Sequence, residues 1–358
     1  MSTARALASS PALTLDHVPG AMASALAVRR AAFWGMIAAK LLAGWGVGWD
    51  IQWHVQIGRD SFWIPPHVMT YAGVTLVVLG AFGVLAIDTL RRLVSGREPA
   101  RADRIFGITG TPGFHLAAWG IALTVLAAPI DDLWHRLFGL DVTLWSPPHL
   151  LGLLGFAINA MACAVIAREA YPAGRVQLAT VIFALAMFYS TLAVGLRESG
   201  RIAYVHGGVL FYTFPLLGAL VLPLALVTAA RLTGVRWAPV AVLAIVLALG
   251  MIGSTIARVG FEIMQPVSVI EEEIIKDPTS PVAVGFEIAR KNGNTPGAPA
   301  GGTLARVMAF VPALILIAID PRRRPVPATL AHGVGLLGLM GLVIGRTPAF
   351  EPMIPGPW

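Results

Sequence analysis

A chain of 358 residues that is 56% hydrophobic and only 13% charged is too apolar for soluble domains of that length. Its mean hydropathy of +0.75 is that of a membrane protein with many spans. The net charge of +7 is carried by basic residues scattered singly at the ends of apolar runs, which excludes a nucleic-acid surface, and a single Cys163 excludes a disulfide framework or a CxxC metal signature.

Residues 1–28 lack the basic-apolar-small pattern of a secretory signal and read as a flexible cytoplasmic tail. Nine apolar runs of spanning length follow, at about 29–50, 67–90, 115–134, 148–168, 175–196, 207–231, 237–258, 304–320 and 328–345. The expected fold is therefore all-α, a polytopic helical bundle. It divides into duplicated hairpins over 29–174 (29–90 and 115–168), three further spans over 175–258, an outer-face loop over 259–303, and two spans with a short tail over 304–358.

Within the first run Lys40 precedes Asp50 by about three turns, and a lysine there is expected to snorkel or to pair with a neighbouring helix. The run leads into WDIQWHVQIGRDSFWIPPHVMTY, residues 49–71, which sets Asp50, His54, Asp60 and His67 between two apolar segments. Ionisable side chains in such surroundings are costly and mark a functional site by default. Trp45, Trp49, Trp53, Phe62 and Trp63 read as an interfacial aromatic belt. Pro65-Pro66 suits a first helical turn and places His67 in it.

After an Arg-rich connection with Pro and Gly turn signals, the third run enters a second copy. Asp131, Trp134-His135, Asp141 and Pro147-Pro148-His149 repeat Asp50, Trp53-His54, Asp60 and Pro65-Pro66-His67, with one extra residue before the Pro-Pro pair. The repeated unit is a helical hairpin. Asp132 shares the helix face of His135 as Asp131 does, so spacing does not choose between them. Farther on, the polar turn RESGRIAYVH places Arg197, Glu198, Arg201, Tyr204 and His206 at the same face as the motifs, as an interfacial charge cluster in which His206 is a candidate extra ligand. The stretch from Val259 to Gly302 includes Glu271, Glu272 and Glu273 and is long enough for a cap or a partner surface.

With the N-terminus inside, fifteen basic residues fall on the cytoplasmic side and ten on the outer side. The positive-inside rule favours that orientation, in a bacterial-type inner (plasma) membrane with both motifs outward.

Asp50 and His54 are one helical turn apart and face the same way, and His67 arrives from the next helix as a third donor. Two imidazoles, one carboxylate and open positions suit copper, zinc or non-haem iron. Asp60 is suited to orient a histidine through its other ring nitrogen. The same reading gives Asp131, His135 and His149 as a second set, with Asp141 in the place of Asp60.

The order Asp50, Trp53-His54, Arg59-Asp60, Pro65 and His67, followed by Tyr71, resembles the metal-site segment of the C subunit of copper membrane monooxygenases, the particulate methane and ammonia monooxygenase group. The resemblance covers about 25 residues. It implies copper held by Asp50, His54 and His67, oxidation of a small substrate by dioxygen, additional membrane or outer-face copper-binding subunits, and Tyr71 donating to a ligand or taking part in redox chemistry. A further site in that family uses Asn and His four apart, whereas here Asn159 is followed at that spacing by Cys163. Other readings of the same residues are a non-catalytic copper transport, sensing or delivery protein, a parallel-repeat solute transporter in which histidines relay protons, and a bis-histidine haem protein. Beyond the lipid bilayer and the additional subunits, a homo-oligomer is an expected partner state and nucleic acid is not.

Overall fold

The computed structural model describes residues 20–58, 61–96, 101–138, 144–196, 213–280, isolated positions between 283 and 291, 307–344 and 346. Its helices are α1 (Gly20–Gln56), α2 (Pro65–Ser95), α3 (Pro112–Phe138), α4 (Pro147–Ala170), α5 (Arg175–Gly195), α6 (Thr213–Thr233), α7 (Ala238–Met264), α8 (Val269–Lys276), α9 (Phe310–Ile319) and α10 (Pro325–Ile344). One two-stranded ribbon, β1 (Asp103–Ile105) with β2 (Ile108–Gly110), interrupts them. The fold is an all-α polytopic bundle.

Among the described residues eight helices are long and apolar enough to cross a membrane, one fewer than the apolar runs in the sequence. The difference is α9, a helix of 10 residues. At 1.5 Å per residue it rises roughly 15 Å, half the depth of a hydrocarbon core. It stops at Asp320, whose backbone is left-handed at φ 64°. Arg322 donates to both carboxylate oxygens of Asp320 and holds its pKa at about 2.

Most spans overrun their apolar windows. The helix α1 continues through Asp50 and His54 to Gln56, and α7 continues past Arg258 to Met264, with an Arg258–Glu262 ion pair one turn apart on its exposed side. The helices α2 and α4 begin at their Pro-Pro pairs, where a missing N–H costs nothing.

Polar contacts define one end of the bundle. Arg29 on α1 pairs with buried Asp88 near the end of α2 at 2.7 Å. Arg30 donates to the Ala170 carbonyl at the end of α4, whose Glu169 accepts from Thr111 and from Gly113 N–H at the start of α3. Arg168 donates to Leu232, Arg236 to Ile317 and Ala318, and Arg322 to Gly234. Cationic side chains thus take the carbonyls that helix C-termini leave without intrahelical partners. Since α1 and α2 run antiparallel, as do α3 and α4, both His-bearing connections stand at the opposite end.

The ribbon was not foreseen. Phe106 and Gly107 both have positive φ, 51° and 81°, the two-residue turn that matches strand twist. Thr109 N–H donates to Thr89 on α2 at 2.9 Å, which ties the ribbon to the arginine-rich end.

The first hairpin meets the second through Lys40. Its side chain is 2% exposed, and Nζ donates to the Phe156 carbonyl of α4 at 3.1 Å while lying 3.5 Å from the centre of the Phe156 ring. It pairs with a neighbouring helix rather than reaching for the surface.

Within each hairpin the helices touch backbone to backbone. A Cβ on Gly73 of α2 would stand 2.5 Å from the Ala39 carbonyl and 2.7 Å from Ala43 of α1. A Cβ on Gly155 of α4 would stand 2.5 Å from the Gly120 carbonyl and 2.6 Å from Thr124 of α3. These positions correspond in the repeat, so the likeness of the hairpins extends from the polar motifs into their packing.

Candidate metal centres

The first centre is built by the last two turns of α1 and the first turn of α2. Asp50 Oδ1 lies 3.3 Å from His54 Nδ1 and 3.1 Å from His67 Nε2. The three side chains are half-buried, at 25%, 30% and 19% exposure respectively. In the second centre Asp131 Oδ1 lies 3.3 Å from His135 Nε2 and 3.4 Å from His149 Nε2, with exposures of 33%, 25% and 32%. In each triad one donor atom per residue lies within 4.8 Å of the others, close enough to hold one metal ion. The structure brings together Asp131 and not Asp132; the latter pairs with Arg136 at 2.9 Å on the exposed side of α3.

Asp50 Oδ1, Asp131 Oδ1 and His135 Nε2 are closed off from solvent, and none of the three has a partner in hydrogen-bond geometry. A buried polar atom left in that condition is costly. Around a first-row divalent ion with bonds of roughly 2.1 Å, donor atoms stand roughly 3.0 Å apart at right angles and roughly 3.4 Å apart in a tetrahedron. The separations from Asp50 to His67 and from Asp131 to His135 and His149, 3.1 to 3.4 Å, fall in that interval.

Tautomer supports the same fit. His67 Nδ1 is 3.0 Å from the Ser61 carbonyl, which can only accept, so Nδ1 carries the proton and donates. In the neutral ring Nε2 then turns a lone pair toward Asp50 Oδ1, and the repulsion between the two is lifted either by a cation between them or by a proton on Nε2, which makes the pair an ion pair. A carbonyl that fixes the far nitrogen is a usual support for a metal-binding imidazole. His54 differs: its Nδ1 is the nitrogen that faces both the Asp50 carbonyl at 3.0 Å and Asp50 Oδ1 at 3.3 Å, so a metal-binding lone pair on this ring would come from Nε2.

From Arg30 to His54, α1 rises roughly 36 Å at 1.5 Å per residue, more than a hydrocarbon core of roughly 30 Å. Arg30 and the first centre are therefore farther apart along α1 than the depth of a hydrocarbon core.

The aromatic belt divides into two sets. Phe62 and Trp63 are exposed, whereas Trp49 and Trp53 turn inward behind the first centre and pack with Ile57, Ile64, Ala257 and Phe261. Trp53 stacks on Phe261 of α7 with ring centres 5.7 Å apart, and Trp45 Nε1 donates to Leu249 of the same helix. On the other side Tyr71 lies with its ring centre 5.7 Å from that of His67.

Arg59, Asp60, Asp141, and the turn with Arg197, Glu198, Arg201, Tyr204 and His206 lie outside the described residues. Among the described residues the Ser61 carbonyl is an orienting acceptor for His67, one that no side-chain pattern announces. The stretch from Val259 to Gly302, expected as a cap or a partner surface, supplies the end of α7 and all of α8 beside the first centre, but the helix within it was not foreseen. Its one signal is Ser268 followed three residues later by Glu271, the pattern of a helix start, and Ser268 does cap α8.

The fold and these clusters define a polytopic helical membrane protein with two Asp-His-His triads of metal-ligand spacing at one end. No family model, no curated protein and no solved structure matches the chain.

Proposed function

We propose that the chain is a copper protein of a bacterial-type inner membrane, with its N-terminus cytoplasmic and both triads on the outer side, acting as a subunit of a copper-dependent membrane monooxygenase. The observation that carries the metal reading is the convergence of Asp50, His54 and His67, one donor atom of each within 4.8 Å of the others. The choice of copper and of oxidation by dioxygen rests on the resemblance of residues 50–71 to the monooxygenase C subunit. The orientation is supported by the arginines, which cluster at the end of the bundle opposite the triads.

Copper, when bound, supplies one-electron chemistry and activation of dioxygen. Asp50 gives the anionic donor, His67 presents Nε2 because Ser61 holds its other nitrogen, and His54 completes the set from the last turn of α1. Further membrane or outer-face subunits, or a second copy of the chain, would complete the assembly.

A second reading is copper delivery, which the duplication favours: two like triads with half-exposed ligands stand at one end, as an exchanging pair would. Electron paramagnetic resonance of the Cu(II)-loaded chain tests the metal reading and is expected to show nitrogen coupling that changes in His54→Ala. A spectrum indifferent to that substitution overturns the assignment. Reductant-driven dioxygen uptake by the loaded chain with its co-purifying subunits supports the enzyme, and its absence there supports delivery.

A further inference from the structure

We infer that Ser268 is a positioning residue for the first centre and that the connection between α7 and α8 latches the end of α1 around the bound ion; this rests on the metal reading of that triad. His54 stands in the last turn of α1, two residues before its end. The closing carbonyls of a helix have no partner inside it, so a last turn frays unless something outside takes them. Fraying here would carry His54 away from Asp50.

The chain supplies that outside partner from a distant segment. Ser268 Oγ donates to the Gln56 carbonyl, and Val269 N–H donates to the Ile57 carbonyl at 2.9 Å. The same Ser268 Oγ accepts from Glu271 N–H at 3.1 Å, so one hydroxyl starts α8 and closes α1. Beyond it the backbone turns under α8 at Gly58, with φ +75°, where a Cβ would stand 2.8 Å from Ile270. One residue before His54, Trp53 is stacked on Phe261 of α7. The latch and α7 therefore hold His54 from one side while α2 brings His67 from the other. Ser268 bonds to the end of α1 and to the start of α8 and lies on neither helix of the second centre, which makes that centre an internal control.

The test follows copper release to an excess of chelator from the purified full chain carrying His135→Ala, so that only the first centre is loaded. Ser268→Ala is expected to speed release about five- to tenfold, the worth of one ordinary hydrogen bond. Ser268→Thr, which keeps the hydroxyl, is expected to restore the parent rate. In the converse background, His54→Ala, the second centre should release copper at one rate whether residue 268 is Ser or Ala. Amide exchange over residues 267–276 should be slower in the copper-loaded chain than in the apo chain. Equal release from Ser268→Ala and its parent, or equal acceleration in both backgrounds, overturns the latch while leaving the metal reading in place. A parent chain that binds no copper overturns both.

Discussion

Gly73 offers a way to disturb the first centre without touching a ligand. Its Cα faces α1 so closely that an added methyl would lie 2.5 Å from the Ala39 carbonyl oxygen and 2.7 Å from Ala43 Cβ. Ordinary contacts of this kind are roughly 3.4 Å or more, so Gly73→Ala must open the α1–α2 interface by roughly 0.9 Å. Overpacking of that order costs about 1–3 kcal/mol. Some of the strain is relieved by moving α2, which carries His67 six residues away. Shifted by the same amount, His67 Nε2 goes from 3.1 Å to about 4 Å from Asp50 Oδ1, beyond the spacing of roughly 3.0 to 3.4 Å that neighbouring donors keep around one ion. Copper affinity at the first centre should fall about 10- to 100-fold, the usual penalty for disturbing a ligand's support. Isothermal titration in detergent, with thermal unfolding alongside, reads both effects. Gly83→Ala, on the same helix with nothing within 4 Å of its added methyl, should change neither, and Gly155→Ala should weaken the second centre instead. Wild-type affinity in Gly73→Ala together with a lowered melting temperature would refute the coupling between interface and ligands.

His67→Ala should strip more copper than His149→Ala, because His67 is the more buried, is held by the Ser61 carbonyl and has Tyr71 beside it where the second centre has Leu153; equal retention in the two variants contradicts this. Cysteine placed at Ser61, but not at Ser95, should react with an impermeant thiol reagent in intact cells, Cys163 being buried and silent, and labelling at Ser95 alone reverses the orientation. Lys40→Met should leave the melting temperature within a few degrees of wild type, since the Phe156 carbonyl keeps its place in α4, whereas Lys40→Glu should prevent folding by setting a carboxylate against that carbonyl and ring. Wild-type stability in Lys40→Glu would show that the side chain finds water.

How much could be read from the chain beforehand depended on what each feature rests on. Span existence follows from runs of apolar residues, and Pro65-Pro66 and Pro147-Pro148 marked helix starts because proline fixes its own backbone. Span ends were less legible. Gln52 and His54 look like loop residues by hydropathy, yet the helix continues through them because its backbone bonds do not depend on side-chain polarity. The short α9 could not be told from a span because composition shows an apolar run over 304–320 but not where its helix begins; among the described residues that helix is Phe310–Ile319. The ligands were legible because Asp and His one turn apart must share a helix face. The inward turn of Trp49 and Trp53 was not, because it depends on Ala257, Gly260 and Phe261 arriving from α7, far along the sequence. Gly260 lets α7 approach so closely that a Cβ there would be 2.3 Å from the Trp49 ring. Ser61 and Ser268 act through a carbonyl and through contact with a distant helix end, neither of which leaves a periodic trace.

The two triads are tested most directly by counting metal. Purified in detergent after growth with copper and dialysed free of loose ions, the wild-type chain should carry copper in both centres by elemental analysis. His54→Ala and His135→Ala should each lose one centre's share, and the double variant should retain none. Copper content that stays the same in all four proteins, or another metal that follows the substitutions in its place, would contradict the copper assignment, the first result by removing the triads as the site and the second by changing the ion.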